Sequence, residues 1–446
     1  MFSFLKYIQP LWYYRLAFQS VNAGLLNDLF NKSVIHIESD KCYASEDAIN
    51  MDKVYRALQM GIIPQDKLSL GKSDKIDTIP NRNDNYIFVA KYFGKAKLVY
   101  VLLLRIIYLN NPILELIGFI NAIKVQKIDI TLNHCVYEDF NTVQSQIIQS
   151  NSLVTVVIPT LNRYEYLEDV LKDLEAQDYQ NFEVIICDQT EIIPADFYSG
   201  WKLNIQLIKQ EEKALWLARN RCIKQAKGEY ILLFDDDSRV EPNWITNHLK
   251  CLDYFNVKVS AGVTHTLVGH GLGKKESYFH LSDVFDTGNS MVHIDVFKQV
   301  GLFDRQFEKM RMGDGEFGLR AILEGFLIVS NPYAMRVHLK VETGGLRQMG
   351  SWDALHPKSL FSPRPVPSVL YLARKYFGNG AAKFYLIQNI PFSFIPYKFK
   401  KSRYLKLAFL FILPLLTPIM LVVALKSWIK ASTMLNEGAK ISQYSA

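Results

Sequence analysis

The central part of the sequence, residues 151–346, predicts an α/β fold built on a mostly parallel, doubly wound sheet. Three observations predict it. From Leu153 onward, short β-branched runs alternate with amphipathic stretches in the order strand, helix, strand, helix, strand. Each of three strand-like runs ends in a polar cluster, at 160–163, 188–190 and 235–237. Polar clusters in the same phase share one sheet edge, where open α/β sheets bind ligands.

The elements follow in order. Residues 1–150 read as a largely helical accessory region. It has an aromatic-rich start over 2–30, a loop rich in Asp, Lys, Asn and Pro over 63–85, and an apolar stretch over 97–124. Arg105, Asn110-Asn111-Pro112 and Glu115 interrupt that stretch, which predicts two packed or membrane-surface helices rather than one spanning helix. Leu153-Val154-Thr155-Val156-Val157-Ile158 is the first strand. A helix follows with Leu167, Val170, Leu171 and Leu174 on one face. Strands are expected over 182–187 and 205–208, and a helix over 212–227. Ile231-Leu232-Leu233-Phe234 then reads as a buried strand, closed on both faces, and runs into Asp235-Asp236-Asp237. Adjacent carboxylates repel, so such a triplet suits a hard divalent cation and the phosphates it neutralises. The competing reading is a solvated turn, with Ser238-Arg239-Val240-Glu241 as a capping box for a helix near Pro242.

Composition bounds the classes. The 446 residues are 49% apolar and 21% charged, which suits a large core and argues against disorder. A net charge of +7 on this length makes no case for nucleic acid. The five cysteines are scattered without CxxC spacing, which fits a reducing compartment and no Cys-held metal. The mixed aromatic and basic start is not expected to be a signal peptide.

Several segments together resemble a family 2 glycosyltransferase with the GT-A fold. They are Val157-Ile158-Pro159-Thr160-Leu161-Asn162-Arg163, Val184-Ile185-Ile186-Cys187-Asp188, Ala218-Arg219-Asn220, Ala226 to Ile231, and Phe234 to Asp237. Gly301-Leu302-Phe303-Asp304 and the run from Gly313 to Arg320 continue the pattern, so the resemblance covers about 152–345. It implies a nucleotide-diphospho-sugar donor, with a UDP-sugar favoured, and an acceptor hydroxyl on a glycan or lipid-linked molecule in cell-surface polysaccharide synthesis. It also implies Mg²⁺ or Mn²⁺ held by Asp237, with His338 as a further ligand. Asp235 and Asp236 would serve the ribose and the metal's water shell. Pro159 and Thr160 would line the base through backbone groups. Arg163 and Arg219 would reach the donor, and Asp188 would meet the imide N–H of the base; its plainer alternative is an Asx-turn with Gln189-Thr190. By the same resemblance Asp314 is the general base of an inverting transfer, although the neighbouring acid usual in the family is here Gly313.

Two motifs need separating from this picture. Gly313-Asp314-Gly315-Glu316-Phe317-Gly318 fits G-x-G-x-x-G. No buried strand precedes it and no acid stands twenty residues on, so a dinucleotide site is rejected. Gln348-Met349-Gly350-Ser351-Trp352 falls where processive synthases carry Gln-x-x-Arg-Trp and lacks the Arg, which points to single transfer.

The last part, 347–446, holds a charge-free apolar run over 407–425. As a helix it would cover about 28 Å, near a bilayer core. Lys398, Lys400, Lys401, Arg403 and Lys406 precede it, and Lys426 and Lys430 follow. These cations suit anionic headgroups, and a cytoplasmic catalytic part obeys the positive-inside tendency; the expected location is the inner face of a bacterial cell membrane. Two other functions stand beside the main reading: a nucleotidyltransferase of similar sheet topology, and an inactive membrane-bound scaffold.

Overall fold

The structure, a computed structural model, describes residues 1–17, 37–64, 80–266, 273–341, 344–345, 353–356, 359–395 and 403–444. Most of the loop expected over 63–85, part of the aromatic start, and Gln348–Trp352 lie outside the described residues.

A nine-stranded mixed sheet forms the centre. Its strands are β1 (Val154–Thr160), β2 (Phe182–Asp188), β3 (Ile205–Lys209), β4 (Tyr230–Phe234), β5 (Ser238–Val240), β6 (Val259–Thr266), β7 (His280–Leu281), β8 (Asn289–His293) and β9 (Ile328–His338). The spatial order is β3-β2-β1-β4-β8-β6-β9-β5, with β7 paired to β9. The first four strands are parallel, in the expected doubly wound half. β8 then inserts antiparallel between β4 and β6, and β5 runs antiparallel to β9, so the other half is mixed. These later strands carry Ser, Asn, His and Thr, which hide their apolar period in the sequence.

The strand alternation divides two cores. Val154, Val156 and Ile158 of β1 face one side with Val184, Ile186, Leu232 and Phe234. Helices α4 (Tyr164–Glu175) and α6 (Trp244–Tyr254) cover that side through Leu167, Val170, Leu171, Leu174 and Trp244. Val157, Ile185 and Leu233 face the other side. There they meet α5 (Leu215–Gln225), α7 (Ile294–Val300) and α8 (Gly313–Leu323), and also residues of the N-terminal region such as Phe2, Trp12 and Tyr55. Burial of Ile-, Leu- and Phe-sized side chains is worth about 1.5–3 kcal/mol each, so the two cores dominate cohesion.

The N-terminal region is helical where described. It comprises short turns at Leu5–Ile8 and Tyr14–Ala17 and helices α1 (Glu46–Met60), α2 (Arg82–Ile107) and α3 (Pro112–Ile123). The 97–124 stretch is thus the end of α2 and all of α3, two helices as expected. α2 breaks at Gly94, whose φ of 79° suits glycine. After the sheet come α9 (Pro367–Leu372), α10 (Gly378–Asn389) and the long α11 (Arg403–Glu437). The five cysteines are unpaired.

Candidate active site

The ends of β1 and β4 and the start of α8 open onto a cavity of about 670 Å³. Pro159, Thr160, Arg163, Arg219, Asp235, Asp236, Asp237, Asp314 and His338 all line it. The sequence spread these residues over 180 positions; the sheet edge gathers them because parallel strands end in phase.

The acidic triplet does not form the solvated turn. Ser238 enters β5 and pairs across from His338 on β9, and α6 starts only at Trp244. That pairing sets His338 Nε2 3.2 Å from Asp237 Oδ1. The Leu339 N–H also donates to the Asp237 carbonyl at 3.0 Å.

Each aspartate has a cationic partner. Arg163 Nη1 donates to Asp236 Oδ1 at 2.8 Å and lies 3.0 Å from Asp237 Oδ2. The Thr160 hydroxyl donates to Asp236 Oδ2 at 2.8 Å. Asp235 is bracketed by Arg219 at 2.6 Å and Arg336 at 2.9 Å. Burial works against ionisation of all three, and partner charge decides the outcome. For Asp235 the arginines win and its pKa is lowered. Asp237 is also lowered, because the close approach and charge of His338 outweigh burial. Asp236 is raised to about 6, by burial first, with Arg163 opposing and the Asp237 charge adding.

Asp235, Asp237 and His338 each place one ligand atom within 4.8 Å of the others. Among the described residues, Asp237 Oδ2 and His338 Nε2 are buried without a well-formed hydrogen bond, despite their short ion-pair distances. Two polar atoms without a well-formed hydrogen bond, converging with a second carboxylate, fit a divalent cation with O and N ligands. The flanking arginines keep Asp235 in the ionised form a cation needs.

Asp314 sits in the first turn of α8, not at its cap, which is Met312. Its Oδ1 accepts the Gly315 N–H at 2.7 Å. Its pKa is raised, by burial first and by the nearby Asp286 charge. The adjoining Glu316 is fully buried, held by Arg320 at 2.9 Å and by the Tyr376 hydroxyl at 2.5 Å, and does not line the cavity. The three glycines of the G-x-G-x-x-G run serve packing. A Cβ on Gly313, Gly315 or Gly318 would come within 2.4 to 2.6 Å of Trp216, the Tyr13 hydroxyl or Phe285.

Asp188 is the expected site residue that the cavity does not include. It is buried; Oδ1 accepts the Thr190 N–H at 2.8 Å, and Oδ2 accepts the hydroxyls of Tyr164 and Tyr198 at 2.8 and 2.7 Å. The Asx-turn forms, and two phenols cover the carboxylate edge expected to meet the base. Arg219 is buried, with its guanidinium over the Trp216 ring at 5.5 Å.

Sequence reasoning missed Arg336, which donates to Asp235, Asp286, Thr264 and Ser238. The signal was present, because Ala334, Arg336 and His338 share one face of β9 by the two-residue period. Tyr13, Arg311 and Asp286 also line the cavity and carried no local motif.

Parts of the chain are similar to known glycosyltransferases. The sequence model described as Glycosyl transferase family 2 matches residues 155–300. The amylovoran biosynthesis glycosyltransferase AmsB of Erwinia amylovora is 32% identical over 107 residues, 22% of this chain and 35% of that protein. Glycosyltransferase RT0329 of Rickettsia typhi is 29% identical over 233 residues, 46% of this chain and 70% of that one. The crystal structure of S. aureus TarS 1–349 with UDP-GlcNAc aligns at a TM-score of 0.45 and 17% identity, over 64% of this chain and 92% of that one. The chain spans 35%, 22% and 65% of the first three curated relatives it matches, less than two thirds of each. Over residues 155–300, from β1 through α7, the chain is similar to glycosyl transferase family 2.

Proposed function

We propose that this protein is a metal-dependent, inverting glycosyltransferase. It moves one sugar from a nucleotide-diphospho-sugar, with UDP-sugars the first to try, to a hydroxyl of a glycan or lipid-linked acceptor. The observation that carries the reading is one cavity holding a cation-ready trio, Asp235, Asp237 and His338, together with a carboxylate of raised pKa, Asp314. The match of residues 155–300 to the glycosyl transferase family 2 model favours this reading over a nucleotidyltransferase.

The residues divide the work. Pro159 and Thr160 line the donor end, and Arg163 and Arg219 fix the acidic triplet in place. Asp237 and His338, with Asp235, would hold Mg²⁺ or Mn²⁺, which supplies neutralisation of the diphosphate as it leaves. Asp314 accepts the acceptor hydroxyl's proton as that oxygen attacks the anomeric carbon and the sugar–phosphate bond breaks. Asp188 receives no donor contact in this reading, because Tyr164 and Tyr198 occupy it.

A pH profile tests the reading. The base must be ionised, so activity falls as pH drops through the Asp314 pKa. Burial raises that pKa, so the acid limb of kcat/KM for sugar release from a panel of nucleotide sugars should lie above about 3.9, the ordinary Asp value. A limb at or below that value contradicts the role.

The C-terminal helix carries the membrane part of the proposal. Phe411–Glu437 is long and apolar enough to cross a bilayer. Val423, Ser427, Ala431 and Met434 form a buried stripe on it, and Arg374 donates to the Trp428 carbonyl and the Ser432 hydroxyl. The same helix leaves Phe411 85% and Leu415 78% exposed. On α2 and α3, Ile107, Ile113, Ile117 and Ile120 are exposed too. A cytoplasmic protein bound to the inner membrane face explains both patches. Full-length protein should pellet with anionic vesicles and stay bound in about 0.5 M salt, where surface charge is screened. Phe411→Glu with Leu415→Glu should cut binding by roughly 10-fold or more, since each buried side chain is worth about 1.5–3 kcal/mol. Vesicle binding that both proteins share, or that neither shows, contradicts a role for this helix.

A further inference from the structure

Tyr13 reaches the cavity from outside the domain that matches the family. It precedes β1 by well over a hundred residues, yet its hydroxyl lies where a Cβ on Gly315 would come within 2.5 Å of it. Gly315 follows Asp314 directly, so the phenol stands beside the base. The placement is built. The Tyr14 hydroxyl donates to the Ser282 carbonyl at 2.8 Å, Trp12 packs on Tyr55, and the Tyr13 ring lies 6.3 Å from Phe377. Tyr13 itself is only 6% exposed. Among the described residues its hydroxyl makes no hydrogen bond, and it opens onto the polar cavity that Tyr13 lines. Leu11 lines the cavity beside it, and Asp283 and Val284 join the wall just after Ser282, to which Tyr14 is pinned.

We propose that Tyr13 contacts the acceptor. Its hydroxyl hydrogen-bonds a sugar hydroxyl of the incoming glycan next to Asp314, and the 11–13 segment sets which acceptors fit. This rests on the glycosyl-transfer reading above. Burial, with the charge of Asp314 adding, holds the phenol well above its ordinary pKa, so it stays neutral and takes no proton from the reaction. The transferred proton goes to Asp314. An aromatic ring edged by a phenol and a carboxylate is suited to a sugar, whose faces are apolar and whose rim is hydroxyl.

The test uses full-length protein, labelled UDP-glucose, UDP-galactose and UDP-GlcNAc as donors, and octyl glycosides of glucose, galactose and N-acetylglucosamine as acceptors. Tyr13→Phe keeps the ring packing and removes one hydrogen bond. The acceptor KM should rise about three- to tenfold, with donor KM and acceptor-free donor hydrolysis within twofold of wild type. Leu11→Ala should change the ranking of the three acceptors. An unchanged acceptor KM in Tyr13→Phe, or a parallel rise in donor KM, overturns the assignment while leaving glycosyl transfer standing. Wild-type protein that neither hydrolyses nor transfers from any nucleotide sugar overturns the underlying reading instead.

Discussion

Replacing Asp314 by Asn is expected to lower turnover by about 10²- to 10⁴-fold, the scale of a positioned general base. The substitution keeps the side-chain shape, and an amide oxygen still accepts the Gly315 N–H, so α8 should start unchanged. Nucleotide affinity should hold, because Asp314 has no contact with the acidic triplet through any hydrogen bond or ion pair among the described residues. The loss should therefore fall on kcat, with the donor KM nearly constant. Steady-state kinetics with any nucleotide sugar the wild type turns over checks it. Turnover within a few-fold of wild type means that the proton goes elsewhere. Glu316 cannot take it, since Arg320 and Tyr376 close it off from the cavity. Asp283 and Asp286 are the other carboxylates on the wall to examine.

How much of this could be read beforehand follows from where each signal lies. The three polar clusters were legible because strand ends in a parallel sheet share an edge, and an apolar run leads into each: Val156-Val157-Ile158, Val184-Ile185-Ile186-Cys187 and Ile231-Leu232-Leu233-Phe234. The cavity brings Asp235–Asp237 together with Thr160 and Arg163. Asp188 was placed correctly at a strand end and is still outside the cavity. Local chemistry decided that, since an Asx-turn and two tyrosines reach the carboxylate first. The triplet's partners were less legible. Arg336 sits two residues before His338 on a strand, and the alternation alone puts them on one face. Tyr13 had no such cue. Its approach to Asp314 depends on contacts such as Tyr14 to Ser282, at a separation of 268 residues. No local period encodes a contact of that range. The antiparallel half of the sheet was hidden for a compositional reason: Asn289, Ser290 and Ser260 are buried polar residues inside strands.

Asp237→Asn carries the second large effect and tests the central claim, that a divalent cation joins the acidic triplet to a nucleotide diphosphate. The variant removes one negative charge from the Asp235–Asp237–His338 trio. Arg163 keeps its pair with Asp236, and the Leu339 N–H still meets the residue 237 carbonyl, so the fold should survive by circular dichroism. A contact to a charged group is worth about 1.5–3 kcal/mol, so metal-dependent affinity should drop roughly 10- to 100-fold. The direct measurement is calorimetric titration of wild type and Asp237→Asn with UDP and with GDP, in Mn²⁺ and then in EDTA. The account predicts that wild type binds at least one of the two in Mn²⁺, that EDTA weakens this binding, and that the variant in Mn²⁺ resembles wild type in EDTA. Equal affinity with and without the metal, or a variant that keeps the full Mn²⁺ effect, would contradict it.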